Sequence, residues 1–241
     1  MSRPGWDDRI ARAGELATSD LIRFYEKLLG EQKSLCLPGE LSRAMIAARF
    51  PHVLDFFERE GSFELASGAG ALKNQGAERW AALIEGVWAG RTDAEGEFFA
   101  RAFLEPFAEA ACAEPGEPPP DTTALCPCCG RPPVVSVMRQ DHESARRSLV
   151  CSMCHWEWSF RRIMCVSCGE DRFDELPVFY IGEFPHLRVE TCERCKTYLL
   201  CVDIGREPRA VPVVEDVAAV PLHLWAREHG YRRLQSNLLG L

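Results

Sequence analysis

Four CxxC pairs follow one another in the second half of this 241-residue chain: Cys126/Cys129, Cys151/Cys154, Cys165/Cys168 and Cys192/Cys195. No other feature limits the fold so narrowly. Two residues between cysteines form a tight turn that aims both sulfurs at one point. Two such turns brought together make a tetrahedral tetrathiolate site, with metal–sulfur distances of ~2.3 Å for zinc. The pairs also repeat. The first and third are followed by glycine, as CPCCG and CVSCG, and the second and fourth come after 21 and 23 intervening residues. The gap is close to the C-x2-C-x15–20-C-x2-C pattern of structural metal sites. The expected sites are therefore Cys126, Cys129, Cys151 and Cys154 for one ion, and Cys165, Cys168, Cys192 and Cys195 for the other. Only 10 residues separate Cys154 from Cys165, so an interleaved pairing is the alternative. The repeat favours the sequential one.

A tetrahedral site of four sulfurs accepts zinc or iron, and spacing does not choose between them. Four protein ligands leave no open coordination position, which disfavours metal-assisted hydrolysis. Gly130 and Gly169 suit a backbone with positive φ at the end of each first turn. Cys128, inside the first turn, reads as a bystander, with a redox or substitute-ligand role as the alternative. Cys36, Cys112 and Cys201 lie in apolar patterns and read as core. His155 is either a surface residue or a donor behind the ligands. Trp156 and Trp158 are expected to shield the first site. Arg146, Arg147, Arg161 and Arg162 read as solvated strand faces.

The first half is different. Residues 1–113 carry apolar positions at helical spacing. Ser19 and Asp20 precede Leu21, Ile22, Phe24, Tyr25, Leu28 and Leu29, a pattern that Gly30 ends or weakens. Residues 40–60 suggest one or two short helices, with Pro51 starting a new one. Residues 72–89, with Trp80, Leu83, Ile84, Val87 and Trp88, and residues 93–112, with Phe98, Phe99, Phe103, Leu104 and Phe107, suggest two more. The aromatic residues are expected in a helix-bundle core. Residues 114–123, rich in proline and acid, read as a linker. Beyond it, short runs at 134–138, 179–181, 187–190 and 198–204 read as strands. Residues 215–229 return to a helical pattern. The expected fold is α+β: a helical domain (1–113), a linker (114–123), two tandem rubredoxin-like or zinc-ribbon units (124–164 and 165–205) and a C-terminal helical segment (206–241).

Charge narrows the partners. The net charge is −8. Residues 1–125 hold 13 basic and 21 acidic side chains, residues 126–205 hold 10 and 11, and residues 206–241 hold 5 and 4. No segment is strongly basic, which argues against a nucleic-acid partner. No apolar run approaches the ~20 residues that span a bilayer. The first residues carry no apolar signal core, so a cytoplasmic protein is expected. In a reducing compartment, paired cysteines point to metal or redox chemistry and not to disulfides. No catalytic triad, phosphate loop or paired-carboxylate motif stands out, and no catalytic residue is assigned.

The stretches LCPCCGRPPVVSVMR, SLVCSMCHWEWSFRRIMCVSCG and RVETCERCKTYLL resemble the formate dehydrogenase accessory protein family (FdhE-like). EDVAAVPLHLWAREHGYRRLQSNLL is similar to that family's closing segment. The order of CxxCG, CxxC with Glu157-Trp158, CxxCG, and Glu190-Thr191 with CxxC is more specific than the cysteines alone. The resemblance implies a cytoplasmic, non-enzymatic maturation factor that binds the catalytic subunit of a molybdenum- or tungsten-dependent formate dehydrogenase. It implies two tetrathiolate ions, with iron favoured and zinc the alternative. Two other functions compete: a rubredoxin-like electron-transfer protein and a zinc-ribbon nucleic-acid-binding module.

Overall fold

The structure is a computed structural model, and it describes residues 5–35, 41–91, 95–112, 120–140 and 145–241. Cys36 and most of the 114–123 linker lie outside the described residues. The chain forms two compact units, one of Ala13–Ala113 and the other of Met1–Arg12 with Glu114–Leu241.

The first of these is helical. It contains α2 (Asp20–Leu35), α3 (Arg43–Glu60), α4 (Phe63–Lys73), α5 (Ala77–Trp88) and α6 (Glu97–Ala111), while α1 (Trp6–Glu15) crosses the boundary. The apolar stripes meet as phenylalanine and leucine packing. Phe50, Phe57, Phe103, Leu28, Leu54 and Leu104 are fully buried. Phe57 meets the rings of Phe98 and Phe99 edge-on, each at 5.1 Å, a favoured aromatic geometry. Serine caps start two helices: the Met45 amide donates to Ser42 Oγ at 3.2 Å, and the Leu65 amide to Ser62 Oγ at 3.4 Å. Each satisfies one of the amides that a helix start leaves without a partner.

Several expectations change. Pro51 does not start a helix; it lies inside α3, where burial of Phe50, Val53, Leu54 and Phe57 outweighs the missing amide. Gly30 is exposed and helical, and α2 continues to Leu35. The 72–89 pattern is the end of α4, a turn and α5. Trp88 is exposed rather than core. The C-terminal helical pattern divides at Ala219 into α7 (Pro212–Ala218) and α8 (Val220–Glu228), because Pro221 has no amide for the ladder.

The other unit is built on one sheet. Its strands are β1 (Pro133–Gln140), β2 (Ala145–Cys151), β3 (Glu157–Ser159), β4 (Val178–Phe179), β5 (Leu187–Thr191), β6 (Thr197–Asp203) and β7 (Arg232–Arg233). The order is β3-β2-β1-β6-β5-β4, with β7 also on β6. The first ribbon is the antiparallel set β1, β2 and β3; the second is β4, β5 and β6. The parallel pairing of β1 with β6, from Val135 opposite Leu200 to Met138 opposite Asp203, fuses the two. These central strands are almost wholly buried, as sheet interiors between covered faces must be. Helix α7 packs on β1 and β6. Asp216 of α7 holds Arg233 through both carboxylate oxygens, at 2.5 and 2.6 Å. Arg12, in the last turn of α1, donates to Glu215 at 2.6 Å, which ties the Trp6–Arg12 part of that helix to this unit.

Candidate metal centres

Each CxxC pair lies in a turn that precedes or joins strands. Cys126 and Cys129 precede β1, and Cys151 and Cys154 occupy the turn between β2 and β3. Cys165 and Cys168 precede β4, and Cys192 and Cys195 occupy the turn between β5 and β6. The hairpins bring the pairs together. Cys126, Cys129, Cys151 and Cys154 form one group, and Cys165, Cys168, Cys192 and Cys195 the other, with all sulfurs of each group within 4.8 Å of one another. Cys128 belongs to neither.

The four turns share one design. The Cys126 amide donates to the Arg131 carbonyl at 2.8 Å and the Gly130 amide returns to Cys126 at 2.9 Å. The third turn repeats this with Cys165 to Glu170 at 2.7 Å and Gly169 to Cys165 at 3.0 Å. In the second and fourth, Cys151 donates to Trp156 at 2.9 Å and Cys192 to Thr197 at 3.0 Å. The residue after each pair is left-handed: Gly130 at φ 70°, His155 at 51°, Gly169 at 73° and Lys196 at 55°. His155 is thus a turn-closing residue, and it is buried, not on the surface. Histidine is among the side chains more often found at positive φ. A methyl added at Gly169 would meet nothing within 4 Å, so Gly169→Ala carries only the backbone cost of positive φ. Thermal unfolding of metal-loaded protein should show a loss of about 1–2 kcal/mol, with the metal still bound.

The donor set fits a metal. A tetrahedron with bonds of ~2.3 Å places sulfurs ~3.8 Å apart. In the second group, Cys165 and Cys195, and Cys168 and Cys192, are each separated by 3.7 Å. In the first group the separations are 3.3 Å for Cys129–Cys151 and 3.5 Å for both Cys126–Cys154 and Cys129–Cys154. Four thiols this close cannot all ionise against one another, and a cation reverses that balance. Local groups assist. The Met153 amide faces Cys151 Sγ at 3.4 Å, and Thr197 Oγ1 lies 2.9 Å from Cys195 Sγ. Burial opposes ionisation of Cys195, and Thr197 overcomes it, bringing that thiol down to about 6. Burial pushes Cys192 up to about 12.

The motif residues beside the cysteines are braces. Glu157 on β3 pairs with Arg139 on β1 at 2.7 Å and accepts from Ser148 on β2. Trp158 is buried and donates from its ring nitrogen to the Thr123 carbonyl at 2.8 Å. Glu190 on β5 accepts from Arg147 on β2 at 2.6 Å, Ser136 on β1 at 2.9 Å and Arg188 at 2.8 Å. Arg147 was expected on a solvated face; it is buried, because it links the first ribbon to the second. Burial works against the Glu190 carboxylate, and Arg147 and Arg188 prevail, holding it at about 2. Its partners Arg147 and Ser136 lie more than forty positions away, and only Arg188 is local, so no local pattern shows what it links, though it belongs to the Glu-Thr-CxxC stretch. Cys201 is a buried free thiol, as expected; Cys112 is buried too, but it and Cys128 are disulfide-bonded, where no disulfide was expected. Arg146, Arg161 and Arg162 are exposed.

Two closed groups of four cysteines on one fused sheet, preceded by helices, define a tandem tetra-cysteine ribbon protein. Residues 125–162 match the central domain of FdhE, and residues 151–239 match its C-terminal domain; over this segment the chain is similar to the FdhE-like family. An FdhE homologue of Aquifex aeolicus is 37% identical over 116 residues, which are 48% of this chain and 41% of that one. A homologue of Pseudomonas aeruginosa is 36% identical over 124 residues, 49% of this chain and 40% of the relative. The matched segment therefore spans about two fifths of these relatives' length. The crystal structure of the FdhE protein from Pseudomonas aeruginosa superposes with a TM-score of 0.74 at 24% identity, covering 99% of this chain and 97% of that one. The common fold extends to the helical half. Among the described residues, no helix is long and apolar enough to cross a membrane.

Proposed function

We propose that the chain is a cytoplasmic accessory factor that binds the catalytic subunit of a molybdenum- or tungsten-dependent formate dehydrogenase during maturation and is not itself an enzyme. The match to both FdhE domains across both cysteine groups carries this reading. The eight paired cysteines are proposed to hold two ions, iron by family resemblance or zinc. Either would lock the hairpin ends, and iron would add one-electron chemistry. The test is affinity purification of the tagged chain from its own host. The expected result is co-purification of a formate dehydrogenase catalytic subunit, and loss of formate dehydrogenase activity when the gene is deleted. Normal activity in the deletion strain overturns the reading.

A second reading, electron transfer through iron–tetrathiolate sites, rests on the 3.7 Å sulfur spacing of the second group, which suits iron as well as zinc. It requires iron and a reversible absorption change on reduction. Colourless, zinc-only protein from the native host rejects it.

A further inference from the structure

Thr197 opens β6, two residues after the last cysteine of the fourth pair. The residue is 6% exposed, and its hydroxyl faces the second cysteine group. Oγ1 lies 2.9 Å from Cys195 Sγ and 3.9 Å from Cys165 Sγ. Among the described residues, sulfur atoms are its only hydrogen-bond partners. A buried hydroxyl needs a partner. A metal-bound cysteine has no proton to give, so the hydroxyl is the donor and the Cys195 sulfur accepts. The donor is also held in place. The Thr197 carbonyl accepts from the Cys192 amide at 3.0 Å, the residue pairs with Arg232 of β7, and branching at Cβ restricts χ1.

The repeat shows that the first ribbon lacks this donor. Cys151 donates to the Trp156 carbonyl as Cys192 does to that of Thr197, and each acceptor follows a left-handed residue, His155 or Lys196. Trp156 is therefore the counterpart of Thr197, and it has no hydroxyl. Hydrogen bonds to the sulfurs are one means by which a protein sets the reduction potential of an iron–sulfur site. A thiolate on ferrous iron carries more negative charge than one on ferric iron. A donor aimed at it favours the reduced form, because hydrogen bonds strengthen with the charge of the acceptor.

We propose that Thr197 tunes the second metal centre: its hydroxyl donates to the bound Cys195 thiolate and, with iron in that group, makes the ion easier to reduce. The electron comes from an external one-electron reductant and takes ferric iron to ferrous. No bond breaks, and the proton stays on Thr197 Oγ1. Thr197 acts through Cys195 and is a positioning residue. The inference rests on the iron alternative of the proposed function.

The test uses the full chain, reconstituted with iron and titrated with dithionite in the presence of redox mediators, with the absorption of the ferric tetrathiolate as readout. Native protein should take up one electron per cysteine group. Thr197→Val removes the hydroxyl and keeps the amide that also faces Cys195. It should make the second group harder to reduce by about tenfold, ~59 mV for one electron. The half of the titration that moves should be the half that Cys168→Ser protein lacks, and the other half should stay. Thr197→Ser, which keeps a hydroxyl, should remain near the native potential. No shift, an equal shift in Thr197→Ser, a shift in the first group, or failure of iron to enter the second group overturns the proposal. A second measurement needs no variant. In native protein loaded with an NMR-active cadmium isotope, the Thr197 hydroxyl proton should show scalar coupling to the ion of the second group, and its absence overturns the proposal as well. Co-purification of the formate dehydrogenase subunit with an unmoved potential would reject this role for Thr197 and keep the proposed function; a moved potential without co-purification would do the reverse.

Discussion

Cys168→Ser protein should carry one metal ion per chain where the native protein carries two, and the ion retained should be that of Cys126, Cys129, Cys151 and Cys154. The sulfurs of the two groups are brought together by separate hairpins, and no cysteine is shared between them. Losing one of four ligands therefore dismantles only the second site. A structural tetrathiolate site contributes on the order of 10 kcal/mol to folding, comparable to the whole net stability of a typical domain. The second ribbon should open in the variant and the helical unit should not. Elemental analysis reads the metal count, and hydrogen exchange locates the opened segment. Equal loss of both metals would reject the assignment of ligands to sites. Chelation of the native protein should produce the same opening in both ribbons.

Glu190→Gln should destabilise the sheet unit by about 3–5 kcal/mol, the cost of removing one member of a buried ionic network. Three of the side chains on its oxygens, Arg147, Ser136 and Arg188, lose a charged acceptor, and two guanidinium groups face each other without a counter-charge. Urea denaturation of metal-loaded protein measures the loss. Glutamine keeps the shape and one acceptor oxygen, so the effect reports charge. The same residue sets an acid limit. Its carboxyl is held at about 2, below the ordinary glutamate value of ~4.3. Its stabilisation is complete above ~4.3 and fades as pH falls from there toward about 2. In the variant that part of the acid sensitivity should disappear.

What the sequence reveals follows the range of the interactions. The eight cysteines and the two glycines are legible because a metal turn is local: four residues fix its geometry. The strands at 134–138, 187–190 and 198–204 are legible from their apolar runs. β2 is not, because Arg146, Arg147 and Ser148 break the alternation, and Arg147 is buried only by reaching Glu190 on another ribbon. The left-handed turns at His155 and Lys196 lack a glycine, yet each occupies the position that glycine takes in the partner pair, and aligning the four pairs would have found them. Pro51 misleads because helix propensity gives way to the buried face of α3. The fusion of the two ribbons has no local signature, since parallel pairing joins segments more than sixty residues apart.

That pairing bears on how the chain can be divided. Tandem ribbons joined only by a linker are interchangeable cassettes, to be excised, duplicated or shuffled. Here a cut between Met164 and Cys165 would leave β1 and β6 each with an unpaired, apolar edge in mid-sheet. Such edges invite pairing with other chains. The two halves share one sheet, and a change of metal preference in either must be accommodated by both.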